Sequence, residues 1–399
     1  MEFSVHHQVL LAVLLVAIGL GAAMHKTRFC TMGGVSDWVN MDHKGRLGAW
    51  FFAIAIATGG VLLLEAASVI AIQNETLGAS FPPYRTAQFA WLRYLVGGLL
   101  FGIGMTLAGG CGSRTIVRVG SGSLKSLTVL AVASMVAYFM LWTDLYQKLF
   151  LVWIAPTTLN LARWGIASQE LGTVVGGVSG FANPAVWHFV FGAALVALVL
   201  FLVLRQRDFR SDWNNVLGGA AVGVAVVAGW LITAGPLSGA WGEYALLAAE
   251  PPIRVAPQSF TFISPMGDAV NYLLRPSVSL VSFGVVSMVG VILGSLLYAL
   301  AAGKFHLEWF ASVTDFVNHV IGAVLLGVGG ALAMGCSVGQ GITGVSTLAL
   351  GSMIALAAMI FGAALTMKVQ YYLLDDTGFL RALRLAVADL RLLPKPKAV

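Results

Sequence analysis

Apolar runs of nearly helical-span length recur along the whole chain, each closed by a short polar or glycine-rich break. The first is QVLLAVLLVAIGLGAAM at 8–24, and 47–72, 88–108, 184–204 and 279–302 repeat the pattern. About 20 apolar residues in a helix cross the roughly 30 Å hydrocarbon core of a bilayer. Runs and breakers together predict spanning helices near 8–25, 46–72, 88–108, 123–146, 184–204, 214–234, 279–302, 316–335 and 346–370. Residues 149–166, with Pro156 and Asn160, read as short or interfacial. Four Gly- and Pro-punctuated pieces, 27–40, 109–122, 259–275 and 336–345, are too short to span and read as re-entrant segments. Irregular backbone at that depth is tolerated only where protein or a water-filled cavity satisfies its polar groups.

Composition narrows the class. The chain is 58% hydrophobic and 10% charged, against about 25% charged in soluble domains. No segment carries the charge to cover a large soluble core, so the expectation is an all-α polytopic membrane protein of about nine spanning helices plus short re-entrant helices. The first run lacks a basic start and a small-residue cleavage site, and reads as a spanning helix, not a removable signal. Lys26/Arg28, Lys44/Arg46, Arg114/Arg118/Lys125, Arg205/Arg207/Arg210, Lys304 and the basic residues from Lys368 to Lys397 fall on one side of this arrangement. The positive-inside bias makes that side cytoplasmic, with the N-terminus outside and the C-terminus inside.

An internal repeat carries the most information. GIGMTLAGGC at 102–111 aligns with GVGGALAMGC at 327–336, and FCTMGGVSDWV at 29–39 with FISPMGDAVNYL at 262–273. The two elements lie 82 residues apart from Phe29 to Cys111 and 74 from Phe262 to Cys336. In the second half the place of Cys30 falls to Ile263 or Ser264. The expected organisation is one integral membrane domain, with 1–204 as the first pseudo-repeat and its connecting helices, 205–375 as the second, and 376–399 as a basic cytoplasmic tail. The assigned orientation inverts the repeats, and interrupted segments at corresponding positions of inverted repeats point to a transporter's substrate site.

Three cysteines, Cys30, Cys111 and Cys336, are too sparse for a disulfide framework or a Cys-x-x-Cys site. All three stand at breaks. A half-helix beginning there presents free N–H groups and a positive dipole end, which suits an anion. A neutral thiol is soft, polarizable and a weak donor, a poor ligand for a hard hydrated ion. The residues thus suggest a soft, sulfur-bearing anion on a path past the cysteines, with Gly110, Gly335, Arg114 and Ser264 as supporting positions. Arg114 and Arg118 read equally as substrate-facing charges or as orientation anchors. Asp37 and Asp268 read as structural, since carboxylates would repel an anion. The histidines lack metal-ligand spacing, and neither metal nor cofactor is expected. Asn183-Pro184-Ala185 has no second copy of the water-channel tripeptide, and GSGSLKS at 120–126 lacks the ending of a phosphate-binding loop.

The motifs RFCTMGG, GGCG, SFTFISPMGD and MGCSVGQG, in this order over nearly the full length, resemble the YeeE/YedE family of thiosulfate and related sulfur-compound transporters. The resemblance implies short central helices around an hourglass-like path in a bacterial inner membrane, and thiosulfate taken in from outside. It implies passage of the anion between Cys30, Cys111 and Cys336 through S–H···S hydrogen bonds. It also implies a small cytoplasmic sulfur-carrier protein as partner. Three other readings rank below it: transport of another sulfur or selenium compound, a membrane thiol redox enzyme, and a structural membrane subunit. The expectation is a transporter and not an enzyme.

Overall fold

A computed structural model describes residues 4–72, 83–180, 184–375 and 378–390. In chain order its helices are α1 (Val5–Thr27), α2 (Thr31–Met41), α3 (Gly45–Ala66), α4 (Trp91–Leu107), α5 (Gly112–Gly120), α6 (Leu124–Trp142) and the single turn α7 (Val152–Ile154). They continue with α8 (Leu171–Ser179), α9 (Pro184–Arg205), α10 (Arg207–Arg210), α11 (Trp213–Ala234) and α12 (Ser238–Leu247). The last are α13 (Ile263–Leu274), α14 (Phe283–Ala301), α15 (Val313–Leu332), α16 (Leu350–Leu373) and α17 (Phe379–Asp389). Among the described residues, nine helical stretches are long and apolar enough to cross a membrane. The protein is an all-α, polytopic membrane protein.

The expected spans are all present, with ends set by local chemistry. Ser282 and Ser312 cap α14 and α15 by accepting from Val285 N at 3.4 Å and Asp315 N at 3.1 Å. The run expected from residue 88 instead starts with a strand, β1 (Gln88–Phe89), paired antiparallel with β2 (Leu159–Asn160), and the helix begins at Trp91. The region 149–166 is short, as expected: a π turn, α7, 3-10 turns and β2. The helices α8 and α12 were not expected, and α17 forms within the expected tail. The rest of that tail, and Asn183, lie outside the described residues.

All four breaks are short structured segments. Three are α2, α5 and α13; the fourth runs through a π-helical stretch, Gly339–Gly344, and a 3-10 turn, Val345–Thr347. At 1.5 Å per residue, the nine residues of α5 extend only about 13 Å and cannot cross a bilayer. The packing partners come in matched pairs: α1 packs on α14 and α11 on α3, while α4 packs on α16 and α15 on α6. Likewise α5 lies against α14, and the segment 339–347 against α3. At the centre α4 crosses α15 through facing glycines. A methyl on Gly104 would strike the Gly322 carbonyl and one on Gly97 the Gly329 carbonyl, and the same clashes recur from the other helix. Small residues allow the close helix approach that lipid-embedded packing relies on.

Candidate functional site

The three cysteines sit at one repeated backbone device. Two residues before each stands a residue in the left-handed region: Arg28 (φ 53°), Gly109 (φ 68°) and Met334 (φ 60°). The following residue donates back five positions, Phe29 N to Met24 O at 3.2 Å, Gly110 N to Met105 O at 2.9 Å and Gly335 N to Gly330 O at 2.9 Å. This is the bond pattern that ends a helix with a left-handed residue. Each cysteine then opens the next helical segment: Cys30, Cys111 and Cys336 carbonyls accept from Gly34 N, Thr115 N and Gln340 N at 3.0, 2.9 and 2.7 Å. One helix stops and another starts with the thiol at the joint, three times.

The thiols are held in two ways. Cys30 Sγ accepts from Gly33 N at 3.3 Å and Cys336 Sγ from Gly339 N at 3.4 Å, so each sulfur satisfies one of the free donors at its helix start. Cys111 Sγ lies 3.3 Å from Ser113 Oγ. All three cysteines are buried and none is in a disulfide.

The chain brings these joints together. Cys30 and Cys111 are within hydrogen-bonding reach of each other. A methyl on Gly112 would lie 3.6 Å from both Ile263 and Met266 and 3.7 Å from Cys336 Cβ, placing the starts of α5, α13 and the fourth segment side by side. The Oγ atoms of Thr31 and Thr261 are buried there with no hydrogen-bond partner among the described residues, and the Ser337 hydroxyl faces the Cys111 thiol. Unpartnered buried hydroxyls are costly unless something else pairs with them.

Two cavities are lined by residues next to the cluster. One, of about 590 Å³, is lined by His25, Arg28, Arg114, Arg118, Lys304 and Glu308 among others. Glu308 is bound by Arg118 at 2.6 Å, and among the described residues Arg28 and Arg114 have no carboxylate partner, so the cavity is strongly cationic. Burial would push the Glu308 carboxyl up, but Arg118, Ser123 and Lys125 hold it below the usual range. The other cavity, of about 430 Å³, is lined by Arg93, Tyr146, Arg254, Ser264, Met334 and Gly335 among others. Here both cations are occupied: Arg93 donates to the Leu332 and Ala331 carbonyls at 2.7 and 3.1 Å, and Arg254 pairs with Asp268 at 2.8 Å.

The sequence-derived residues thus divide. Cys30, Cys111 and Cys336 lie close together, next to residues that line the two cavities. Gly110 packs on Arg114, whose side chain reaches the cationic cavity, and Gly335 and Ser264 line the other. Ser264 lies inside α13, while Phe262 holds the helix-start position that Cys30 holds in α2. Asp37 pairs with Arg46, and Asp268 with Arg254 and Trp142, as structural carboxylates. Sequence reasoning missed Arg93, Ser113, Ser337 and Tyr84, whose hydroxyl donates to Gly339 O at 3.0 Å. The small hydroxyl residues just after Cys111 and Cys336 were the available signal for two of them.

Residues 26–365 match the sequence profile of a family described as sulphur transport. The thiosulfate transporter TsuA of Escherichia coli (strain K12) is 24% identical over 363 residues, covering 86% of this chain and 89% of its own length. The thiosulfate transporter TsuA of Spirochaeta thermophila (strain ATCC 700085 / DSM 6578 / Z-1203) is 28% identical over 276 residues, covering 67% of this chain and 74% of its own length.

Proposed function

This chain belongs to the sulphur-transport family, and from that premise we propose that it imports thiosulfate across a bacterial inner membrane along a path lined by Cys336, Cys111 and Cys30. One observation carries the reading: three thiols, each at a helix–helix joint, lie close together beside residues that line two separate cavities. The order follows from placement. Gly335 borders the Arg93 cavity, Cys336 lies beside Gly112, Cys111 reaches Cys30, and Arg28 and Arg114 border the cationic cavity.

The chemistry fits a sulfur-bearing anion. Sγ of Cys30 and Cys336 each accepts from a backbone N–H, so the S–H of Cys336 can donate to a passing sulfur and that of Cys30 can turn to it from Cys111. Weak donors spaced along a path favour passage over trapping. Helix starts and the unpartnered hydroxyl of Thr31 supply dipoles for the oxyanion end. The substrate leaves unchanged, so the proposed role is transport and not catalysis.

The matched packing supports two inverted pseudo-repeats around an hourglass-like path, the first within 1–204 and the second within 205–375. Spanning helices α1, α3, α4, α6 and α9 precede α11, and an odd number of crossings reverses the second set. The positive-inside bias assigns the Arg114 cavity to the cytoplasm, which places the N-terminus outside and the C-terminus inside. That cavity is also where a small sulfur-carrier protein would receive the anion.

A second reading rests on the nearness of Cys30 and Cys111, the pair a membrane thiol oxidoreductase would use. Uptake of labelled thiosulfate into proteoliposomes separates the two. Saturable uptake that ignores sulfate and is lost in Cys111→Ala and Cys336→Ala supports the path. Uptake that is intact in both variants reduces the thiols to packing. Absence of uptake, even with a carrier protein inside, sends the assignment to the redox reading or to another sulfur or selenium compound.

A further inference from the structure

A cluster of four charged groups stands apart from the cysteines. Arg85 binds Glu65 through Nη1 at 2.6 Å and Nη2 at 3.1 Å. His188 lies with Nε2 3.0 Å from Glu65 Oε2 and Nδ1 3.1 Å from Glu170 Oε1. The other bonds to Glu170 come from Gly172 N, Thr173 N and the Thr173 hydroxyl, at 2.7, 2.8 and 2.7 Å. The side chains of Arg85, Glu65, His188 and Glu170 are only 10%, 13%, 12% and 4% exposed.

Two facts set its protonation. Nε2 is hydrogen-bonded to one carboxylate and Nδ1 lies at ion-pair distance from another, and an imidazolium presents an N–H to each where a neutral imidazole leaves a lone pair facing one of them. Charge agrees: two carboxylates against one guanidinium leave a buried negative charge that one proton cancels, and buried charge is costly unless balanced. Among the described residues no other charged side chain is paired with His188. Helix α9 packs on α3, whose other charged residue, Arg46, is at the far end; on α8, which has none; and on α10, at its opposite terminus.

The cluster is fastened to the segment that follows Cys336. Arg85 Nε donates to Thr347 O at 3.2 Å. The backbone at Glu170 bridges Ala349, with Leu171 N on Leu348 O at 3.0 Å and Leu350 N on Gln169 O at 3.1 Å. Between these ties Leu348 is held at φ 60°, a conformation that persists in a non-glycine residue only when its surroundings impose it. Helices α8 and α9 have no partner in the matched packing of the two halves; the chain after α5 is bridged instead by Ser123 to Glu308, in the loop before α15.

We propose that Glu65, His188 and Glu170 form a proton-binding site, with His188 carrying the proton, and that this proton latches the Cys336 segment in its transport-competent position. His188 and Arg85 are then positioning residues for the anion path. The uptake arm of the test rests on the thiosulfate reading; the labelling arm does not.

Two readouts test it on the full chain in proteoliposomes held at equal pH on both faces. The first is labelled thiosulfate uptake against pH. The second is the labelling rate of Cys336 by a small neutral maleimide, with Cys30 and Cys111 replaced by Ala. The expected wild-type uptake falls as pH rises through the histidine range, while labelling of Cys336, divided at each pH by that of the same chain unfolded in denaturant so that the rise in thiolate cancels, speeds up on the order of tenfold, as the loss of a charge-assisted hydrogen bond implies. His188→Gln gives the high-pH behaviour at every pH. Glu170→Gln, which keeps an acceptor for the α8 cap, moves both transitions to lower pH, and it serves alone if His188→Gln does not fold. A His188→Gln or Glu170→Gln profile identical to wild type in both readouts overturns the latch. Labelling that follows pH and His188 without thiosulfate uptake keeps the latch and sinks the substrate assignment.

Discussion

Met334 and Gly109 hold the same left-handed backbone position, each two residues before a buried cysteine, at φ 60° and 68°. An L side chain there costs roughly 1–2 kcal/mol and a glycine almost none. The two hinges are thus equal in geometry and unequal in strain. Met334→Gly is expected to preserve uptake and leave thermal stability unchanged or slightly raised. Met334→Val, which adds β-branching at positive φ, should lower the unfolding temperature and uptake together. A scan of heat-treated samples by size-exclusion fluorescence reads this directly; a stable, active Val variant would contradict it.

The cysteines should be separable by chemistry and not only by loss. Removing a donor to an anion costs about 1.5–3 kcal/mol, roughly tenfold or more in rate if it is felt in the transition state. Cys111→Ala and Cys336→Ala are expected to lose uptake by at least that factor at unchanged unfolding temperature. Cys336→Ser, which still donates but is hard, should recover less than half of it. Full recovery by serine would show that softness is not what the site uses.

Arg114 reaches a cavity where Glu308 is already taken by Arg118. Arg114→Gln should slow uptake a few-fold and flatten its dependence on ionic strength, because an unpaired cation there attracts anions over about a Debye length, near 10 Å at 0.1 M salt. Arg93→Gln should act differently. Its guanidinium is spent on the Leu332 and Ala331 carbonyls, so the loss should appear in thermal stability and not in salt dependence. Reversal of the two signatures would exchange their roles.

The strap across the cationic cavity should fail in acid. Glu308 binds Arg118 at 2.6 Å and the Ser123 hydroxyl at 3.1 Å, with its carboxyl held below the usual value of 4.5. A depressed carboxyl contributes stability that is complete above its unfolded pKa and is lost as pH falls through the lower, folded one. Hydrogen exchange at Leu124 and Lys125, whose amides donate to the Glu308 carbonyl, should therefore accelerate below pH 4.5 and not between 5 and 8. Glu308→Gln should remove that acid transition; its persistence would place the titrating group elsewhere.

Gly104 and Gly322 close the central crossing of α4 and α15, where each would drive a methyl into the other's helix. Gly104→Val should destabilise by about 1–3 kcal/mol through overpacking, read as a lowered unfolding temperature. An unchanged value would mean that the two helices separate at little cost.

Spans and breaks were legible because a bilayer demands long apolar runs, and because Gly110-Cys111 and Gly335-Cys336 repeat one motif. What wraps the fourth segment was not. Tyr84 and Arg85 reach Gly339 and Thr347 from 255 and 262 residues away, and nothing local marks a polar linker residue for that task. Arg93 was illegible for the same reason: its partners are carbonyls. The ten residues of α12 and nine of α8 are below span length and left no periodic signal. Met334 was hidden in another way, since methionine is no left-handed residue by type and only the match to Gly109 marks it.

Helix α9 meets the rest of the molecule chiefly through α3 and α8, and only 17% of its most apolar stretch is buried. Its seat therefore depends on the annular lipid pressed against its outer face. A detergent that strips that lipid acts first on α9, and through His188 on a segment at the centre of the molecule. Extraction conditions become a variable of the transport assay itself, and a mild solubilisation that returns native lipid is the one in which kinetics measured outside the cell describe the protein inside it.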